Sequence, residues 1–545
     1  MERGSEKSRD DQISAGEGRS EAASGEDENG GPICRGNLRA VLLRSGDSVA
    51  VAIDELPPRA TCSLIGERGG EGPAALETIP RGHKIALRDI ASGEAILKYG
   101  RPIGRATARV AAGAWVHSHN LASGLSAGLA GLSPSARTAY IWAERERLAF
   151  TLESTESGLP SGFEAYHRGD GSVGIRNELW ILPTVGCVNG SAEIVARIAR
   201  ESFGIDAFAL THPLGCSQLG GDLEATRAIL TRLAVHPNAG AVLVLSLGCE
   251  SNRLAEFKQA LGPYDRERTR FIGLQDEADE LAAARRILGT FASILAADRR
   301  IRLPLSALRI GLKCGGSDGF SGITANPLVG KVCDLVIAAG GGAFMSEVPE
   351  MFGAEEDLYE RAADLGTLTG MERMIEGFKD YYAEHGQPVY ENPSPGNKDG
   401  GITTLEEKSL GCVRKAGGAP ISGILPYGGA SRDGGLRLVS GPGNDLISST
   451  ALAAAGAQLV LFTTGRGTPF GAPVPTLKIS SNGELAARKP GWIDFDAGRA
   501  LSGDTFDDLA LELLRAIVDV AEGKPTKAEV AGHRGIAIFK EGVTL

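Results

Sequence analysis

Five of the eight cysteines stand directly beside a glycine, and three of those close apolar runs: LWILPTVGC at Cys187, AVLVLSLGC at Cys249 and LRIGLKC at Cys314. Cys216 in PLGC and Cys412 in SLGC are the other two. Thiols are soft metal ligands and, once ionised, nucleophiles. An apolar run that closes on glycine and a small side chain reads as a buried strand opening into a tight loop. Ligands of open parallel α/β sheets bind where such strands end, so these residues predict one thiol-lined site gathered from distant segments. The absence of any C-x-x-C pair argues against a zinc ribbon or a ferredoxin-type cluster. Inert buried thiols are the plain alternative.

Imidazoles come next. His117 and His119 in WVHSHN are spaced so that, on an extended strand, both point to one face. Two such rings make half of a divalent-metal site, and His83 in RGHK could add a third nitrogen or carry a proton. A polar strand end meeting solvent would also place them there. The stretch GLKCGGSDGFSGITANP sets Lys313, Cys314, Ser317, Asp318 and Thr324 among glycines that let backbone N–H groups approach an anion. YHRGDGSVGIRNELW carries Arg176 and Asn177, and an arginine fork suits a carboxylate. Glu250, Asn252, Glu347 and Glu350 follow apolar runs, as general bases, metal ligands or simple helix-start acids. SGPGNDL and TTGRGTP add Asn444 and Arg466 as an anion seat. Leu446 stands where a dinucleotide fingerprint wants its third glycine, and Arg466 where it wants an acid, so NAD binding is disfavoured.

The elements that must position these groups fall into zones. Residues 1–33 form an acidic tail expected to be disordered, with nine acids and four bases in the first thirty positions. Residues 34–120 read as a compact β-rich domain and 121–160 as a linker around IWAERERLAF. From 161 onward apolar strands alternate with helical stretches, predicting two α/β domains with mostly parallel sheets, 161–305 and 306–545, joined at ADRRIRLPLSA. DLVIAAG is among the expected strands.

The net charge of −11 argues against a nucleic-acid partner. No apolar run reaches the ~18–20 residues that span a bilayer, and no basic, apolar leader opens the chain. The expectation is a soluble cytoplasmic protein with reduced thiols and a small-molecule substrate, compatible with a homo-oligomer.

YHRGDGSVGIRNELWILPTVGCVNG, GLKCGGSDGFSGITANP, GGAFMSEVPEMFGAE, YENPSPGNKDGGITTLEEKSLGC and TTGRGTP together resemble the altronate/galactarate dehydratase family, and RGHKIALRDIASGEAILKYGRPIG with WVHSHN resembles its N-terminal SAF-type domain. The resemblance implies a hydro-lyase that converts a sugar acid to a 2-keto-3-deoxy acid, with altronate giving 2-dehydro-3-deoxy-D-gluconate, and it implies ferrous iron, replaceable by Mn²⁺ or another divalent ion. Galactarate, or a carbon–sulfur elimination on a sulfonated hydroxy acid, is the alternative; a sugar-acid sensor is the non-enzymatic one. For this chemistry we expect His117, His119, Cys187 and Cys249 to hold the metal. Lys313, Asp318, Glu347 and His83 are expected to act in catalysis, and Arg176, Asn177, Ser317, Thr324, Asn444 and Arg466 to bind substrate.

Overall fold

The computed structural model describes residues 38–125, 158–389 and 392–545. The expected tail and IWAERERLAF lie outside the described residues. Residues from Arg39 to Ala122 form two small sheets. One has six strands, built around the parallel pair Arg39–Leu42 and Ser63–Gly66 with antiparallel neighbours; the other has three antiparallel strands.

A four-stranded parallel sheet follows: β1 (Glu178–Pro183), β2 (Ala207–Ala209), β3 (Ala239–Ser246) and β4 (Thr269–Gly273), in the order β2-β1-β3-β4. Its central strands are apolar between their end residues because both faces are covered. Leu179, Ile181, Ala241 and Leu243 pack under α1 (Asn189–Phe203) and α4 (Glu280–Ala297). Trp180, Leu182, Val242 and Val244 pack with α2 (Gly220–Ala234), with α3 (Leu254–Leu261) and with Phe344, Leu452 and Phe462 of the next domain. The segment ADRRIRLPLSA holds a strand of its own, Ile301–Leu303, antiparallel to Phe163–His167.

The last domain is a seven-stranded, wholly parallel sheet, ordered β7-β8-β6-β5-β9-β10-β11. Its strands are β5 (Arg309–Cys314), β6 (Gly342–Met345), β7 (Ile421–Leu425), β8 (Gly435–Val439), β9 (Leu459–Thr464), β10 (Thr476–Ser480) and β11 (Phe495–Asp496). Helices α5 (Ala325–Ala338), α6 (Leu365–Glu384), α7 (Leu405–Cys412), α8 (Asp445–Ala455) and α9 (Phe506–Ala521) surround it. DLVIAAG is not a strand: it lies largely in α5, and the strand is the following GAFM of β6. α5 buries residues on nearly every side, so it lacks the polar face that would reveal a helical period.

Two further features fix the domains to one another. Gly319 approaches Gly82 so closely that a Cβ on it would stand 1.9 Å from the Gly82 carbonyl oxygen, so only glycine lets the small domain seat here. The segment after residue 525 straps the two sheets together. Arg534 donates to Glu178, Phe539 N donates to the Tyr427 hydroxyl at 2.9 Å, and Asp222 accepts from the backbones of Glu541 and Gly542.

Candidate active site

Strand β5 ends in Lys313 and Cys314 at the middle of the seven-stranded sheet. Neighbouring β6 runs on into Glu347 and the short turn Val348–Glu350. Helix α7 and the turn after it supply Lys408, Cys412 and Lys415, a stripe at i, i+4 and i+7 along one face. These three elements bring Cys314, Glu347, Glu350 and Cys412 together with one donor atom from each lying within 4.8 Å of the others. All four are buried.

The contacts are dense. Cys314 Sγ lies 3.5 Å from Cys412 Sγ, and Glu350 Oε2 accepts from both thiols, at 3.1 and 3.2 Å. Lys408 Nζ donates to Glu350 Oε1 at 2.9 Å. Lys415 Nζ donates to Glu347 Oε2 at 2.6 Å and to Cys412 Sγ at 2.7 Å. Lys313 Nζ donates to the other oxygen of Glu347 and, at 3.0 Å, to Asp445, whose side chain is 42% exposed and marks the open side. Burial alone would push the Glu350 carboxyl up, but Lys408, Lys313 and Lys415 outweigh it and hold it down to about 2. Burial drives the Cys412 thiol well above the ordinary thiol range, reinforced by Cys314. Lys415 is buried too, yet the surrounding thiols and carboxylates keep it firmly protonated. Glu347 sits at φ 73°, a left-handed conformation that costs a side-chain-bearing residue about 1–3 kcal/mol. Its two lysine contacts hold it there.

Two thiols and a carboxylate suit a borderline-to-soft divalent cation. The charges agree. Lys313, Lys408 and Lys415 already face Glu347, Glu350 and Asp445, so an ion that displaces both thiol protons leaves the pocket no more charged than before. The donor set therefore fits such an ion, which Cys314, Cys412 and Glu350 would hold.

A second buried cluster lies on the neighbouring face of α7. Glu407 accepts from Lys84 and Lys98 of the small domain, each at 2.8 Å, and from the Thr403 backbone and hydroxyl. Burial and Lys98 pull the Lys84 ammonium down to about 8 despite Glu407. His83 and His117 stand beside it, and both donate through Nε2, to the carbonyls of Asp399 and Lys398. Burial, His117 and Lys84 push His83 down to about 4.

The residues expected from sequence divide sharply. Lys313 and Glu347 lie in the thiol–carboxylate cluster. The expected metal set of His117, His119, Cys187 and Cys249 does not converge: the histidines belong to the small domain and the cysteines to loops of the four-stranded sheet. His117 to Asn120 form a turn, with Asn120 N donating to His117 O, so the same-face argument for a strand does not apply. Asp318 is saturated by Ser321, Ser481, Asn482 and two backbone N–H groups and pins its own loop. Thr324 donates to the Ser481 carbonyl and Ser317 to that of Gly315. Arg176 is buried against Glu529 and joins two domains, while Asn177 joins Arg168 to the end of α4 within its own domain. Asn444 caps α8, while Arg466 is exposed beside Gly316. Cys412, Lys408 and Lys415 complete the cluster without having been combined with Lys313 in the sequence. Their helical stripe was the available signal.

Three family models match in succession. They are the altronate/galactarate dehydratase SAF domain over residues 38–124, the D-galactarate dehydratase/altronate hydrolase second domain over 165–296, and the D-galactarate/altronate dehydratase C-terminal domain over 305–544. The chain is 45% identical to altronate dehydratase of Escherichia coli K12 over 93% of its length and all of that protein. It is 48% identical to altronate dehydratase of Bacillus subtilis 168 over 86% of its length and 93% of that protein. It is 32% identical to the L-threo-forming galactarate dehydratase of E. coli K12 over 92% of its length and 96% of that protein. With matches of this extent, the chain belongs to the altronate/galactarate dehydratase family and is a hydro-lyase.

Proposed function

We propose that this protein dehydrates D-altronate to 2-dehydro-3-deoxy-D-gluconate, with Cys314, Cys412 and Glu350 holding a divalent cation, ferrous iron in the first instance. The observation that carries the reading is the convergence of two buried thiols, Glu350 and three lysines at the end of β5. The two altronate dehydratases, similar over most of the chain, supply the substrate.

The difficult step is loss of the C2 proton beside an ionised carboxylate, which builds a second negative charge. A bound cation supplies Lewis acidity toward the substrate's carboxylate or hydroxyl oxygens. Lys313, Lys408 and Lys415 surround the site with fixed positive charge that needs no reorganisation as the new charge develops. Lys313 also orients Asp445 on the open side. Proton transfer is assigned to the half-exposed Asp445, the carboxylate that Lys313 holds on the open side of the pocket.

An anaerobic assay of the purified protein against a panel of aldonates and aldarates, with and without Fe²⁺, tests the proposal. Keto-acid release from altronate that depends on the ion and vanishes in Cys412→Ser supports it. Full turnover in that variant, or turnover of galactarate alone, rejects the site or the substrate respectively.

A further inference from the structure

Three cysteines play no part in the cluster described above. Cys187, Cys216 and Cys249 are free and exposed, and each follows a different strand of the four-stranded sheet: β1, β2 and β3. In the order β2-β1-β3-β4 these are three adjacent strands, and the chain reverses direction across the sheet between β1 and β3. The carboxyl end of such a switch point is where open α/β sheets form their ligand crevice.

The three loops are held against one another. Gly186 N, next to Cys187, donates to Leu214 O at 2.9 Å, and Asn252 N donates to Gly215 O, next to Cys216, at 3.0 Å. Glu250, next to Cys249, accepts from the Thr184 hydroxyl at 2.7 Å and from Gly248 N at 2.6 Å. The loops that carry the thiols are thus fixed against one another by backbone and side-chain hydrogen bonds. Gln275 Nε2 donates to Cys249 Sγ at 3.8 Å, the kind of polar contact that tunes a ligating sulfur. The fifteen-residue helix α1 starts two residues after Cys187, so its positive end favours a thiolate-rich, anionic group.

Thiolates on one tetrahedral ion, with bonds of ~2.3 Å, come within about 4 Å of one another. Among the described residues, such crowding is found at Cys314, Glu347, Glu350 and Cys412 and not at these three sulfurs. Three thiols on adjacent, mutually bonded loops without that crowding suit a cluster that offers a separate iron to each thiolate. We propose that Cys187, Cys216 and Cys249 bind a cubane iron–sulfur cluster, each thiol losing its proton as its sulfur–iron bond forms. The fourth iron, which has no cysteine here, takes a non-protein oxygen ligand in the crevice. This site is independent of the cation site at Cys314.

The test is anaerobic reconstitution of the full chain with ferrous iron and sulfide, followed by desalting. Expected are acid-labile sulfide in near-equal amount to iron and the broad visible absorption of sulfide-to-iron charge transfer. Cys187→Ser, Cys216→Ser and Cys249→Ser should each lose both, with an unchanged far-ultraviolet circular dichroism spectrum, since the thiols are exposed. Cys314→Ser should keep both, which separates this site from the proposed catalytic one. Iron retained without sulfide, or charge-transfer absorption that survives in the triple variant, overturns the proposal.

Discussion

Two buried carboxylates reached through α7 make an instructive pair. Glu407 accepts from two lysines, a hydroxyl and a backbone N–H, so its oxygens are filled by strong donors. Glu350 has one lysine on Oε1, but two thiols share Oε2. Thiols are weak donors that can surrender their protons to a cation. A saturated carboxylate fixes structure, and one completed by thiols keeps a place for chemistry. Similar burial and similar lysine partners therefore produce a joint in one case and, on the proposed function, a reactive centre in the other.

The largest expected effect breaks the reactive member. Glu350→Gln should lower kcat by about 10²–10³, the range for removing one fixed electrostatic group, while thermal unfolding still reports a folded, cooperative protein. Chelation followed by adding back metal should restore the wild type and not this variant. Glu407→Gln should show the reverse pattern. Stripping the charge that faces Lys84 and Lys98 should cost about 3–5 kcal/mol in denaturant unfolding, as for other broken buried pairs. Equal losses of activity and stability in both variants would erase the distinction.

A pH effect comes next. His83 has its folded pKa depressed to about 4 from an ordinary 6.5. The folded protein therefore prefers the neutral ring, and the resulting stability is present above pH 6.5 and lost as the pH falls toward 4. His83→Gln should flatten the pH dependence of unfolding in that window. The smallest change is expected at Glu484, whose ion pair with Arg81 also joins the small domain to the large one but lies in solvent. Glu484→Gln should alter stability by less than about 1 kcal/mol, which would show that the joint depends on Glu407.

The sheet domains were readable because their strands are continuous apolar runs ending in glycine and cysteine, a pattern that burial on both faces imposes. DLVIAAG was misread for the same reason, since a helix buried all round also yields an unbroken apolar run. Lys313 and Glu347 were legible from local chemistry. Their union with Cys412 and Lys415, about a hundred positions away from Lys313, depends on the pairing of β5 with β6 and on the packing of α7, which no local spacing encodes. Arg176 and Asp318 lie outside the thiol–carboxylate cluster, and a buried arginine or carboxylate used for recognition has the same sequence appearance as one used to lock a loop.

One consequence lies in the shortness of α7. Eight residues make a rigid rod of about two turns, with Glu407 gripped by the small domain and Lys408 and Cys412 by the reactive pocket. Such a rod turns as a unit. A hand on either end moves the other, so a small domain pried from its seat would twist the Cys412 sulfur out of line, and a pocket collapsed by oxidation would loosen the grip on that domain.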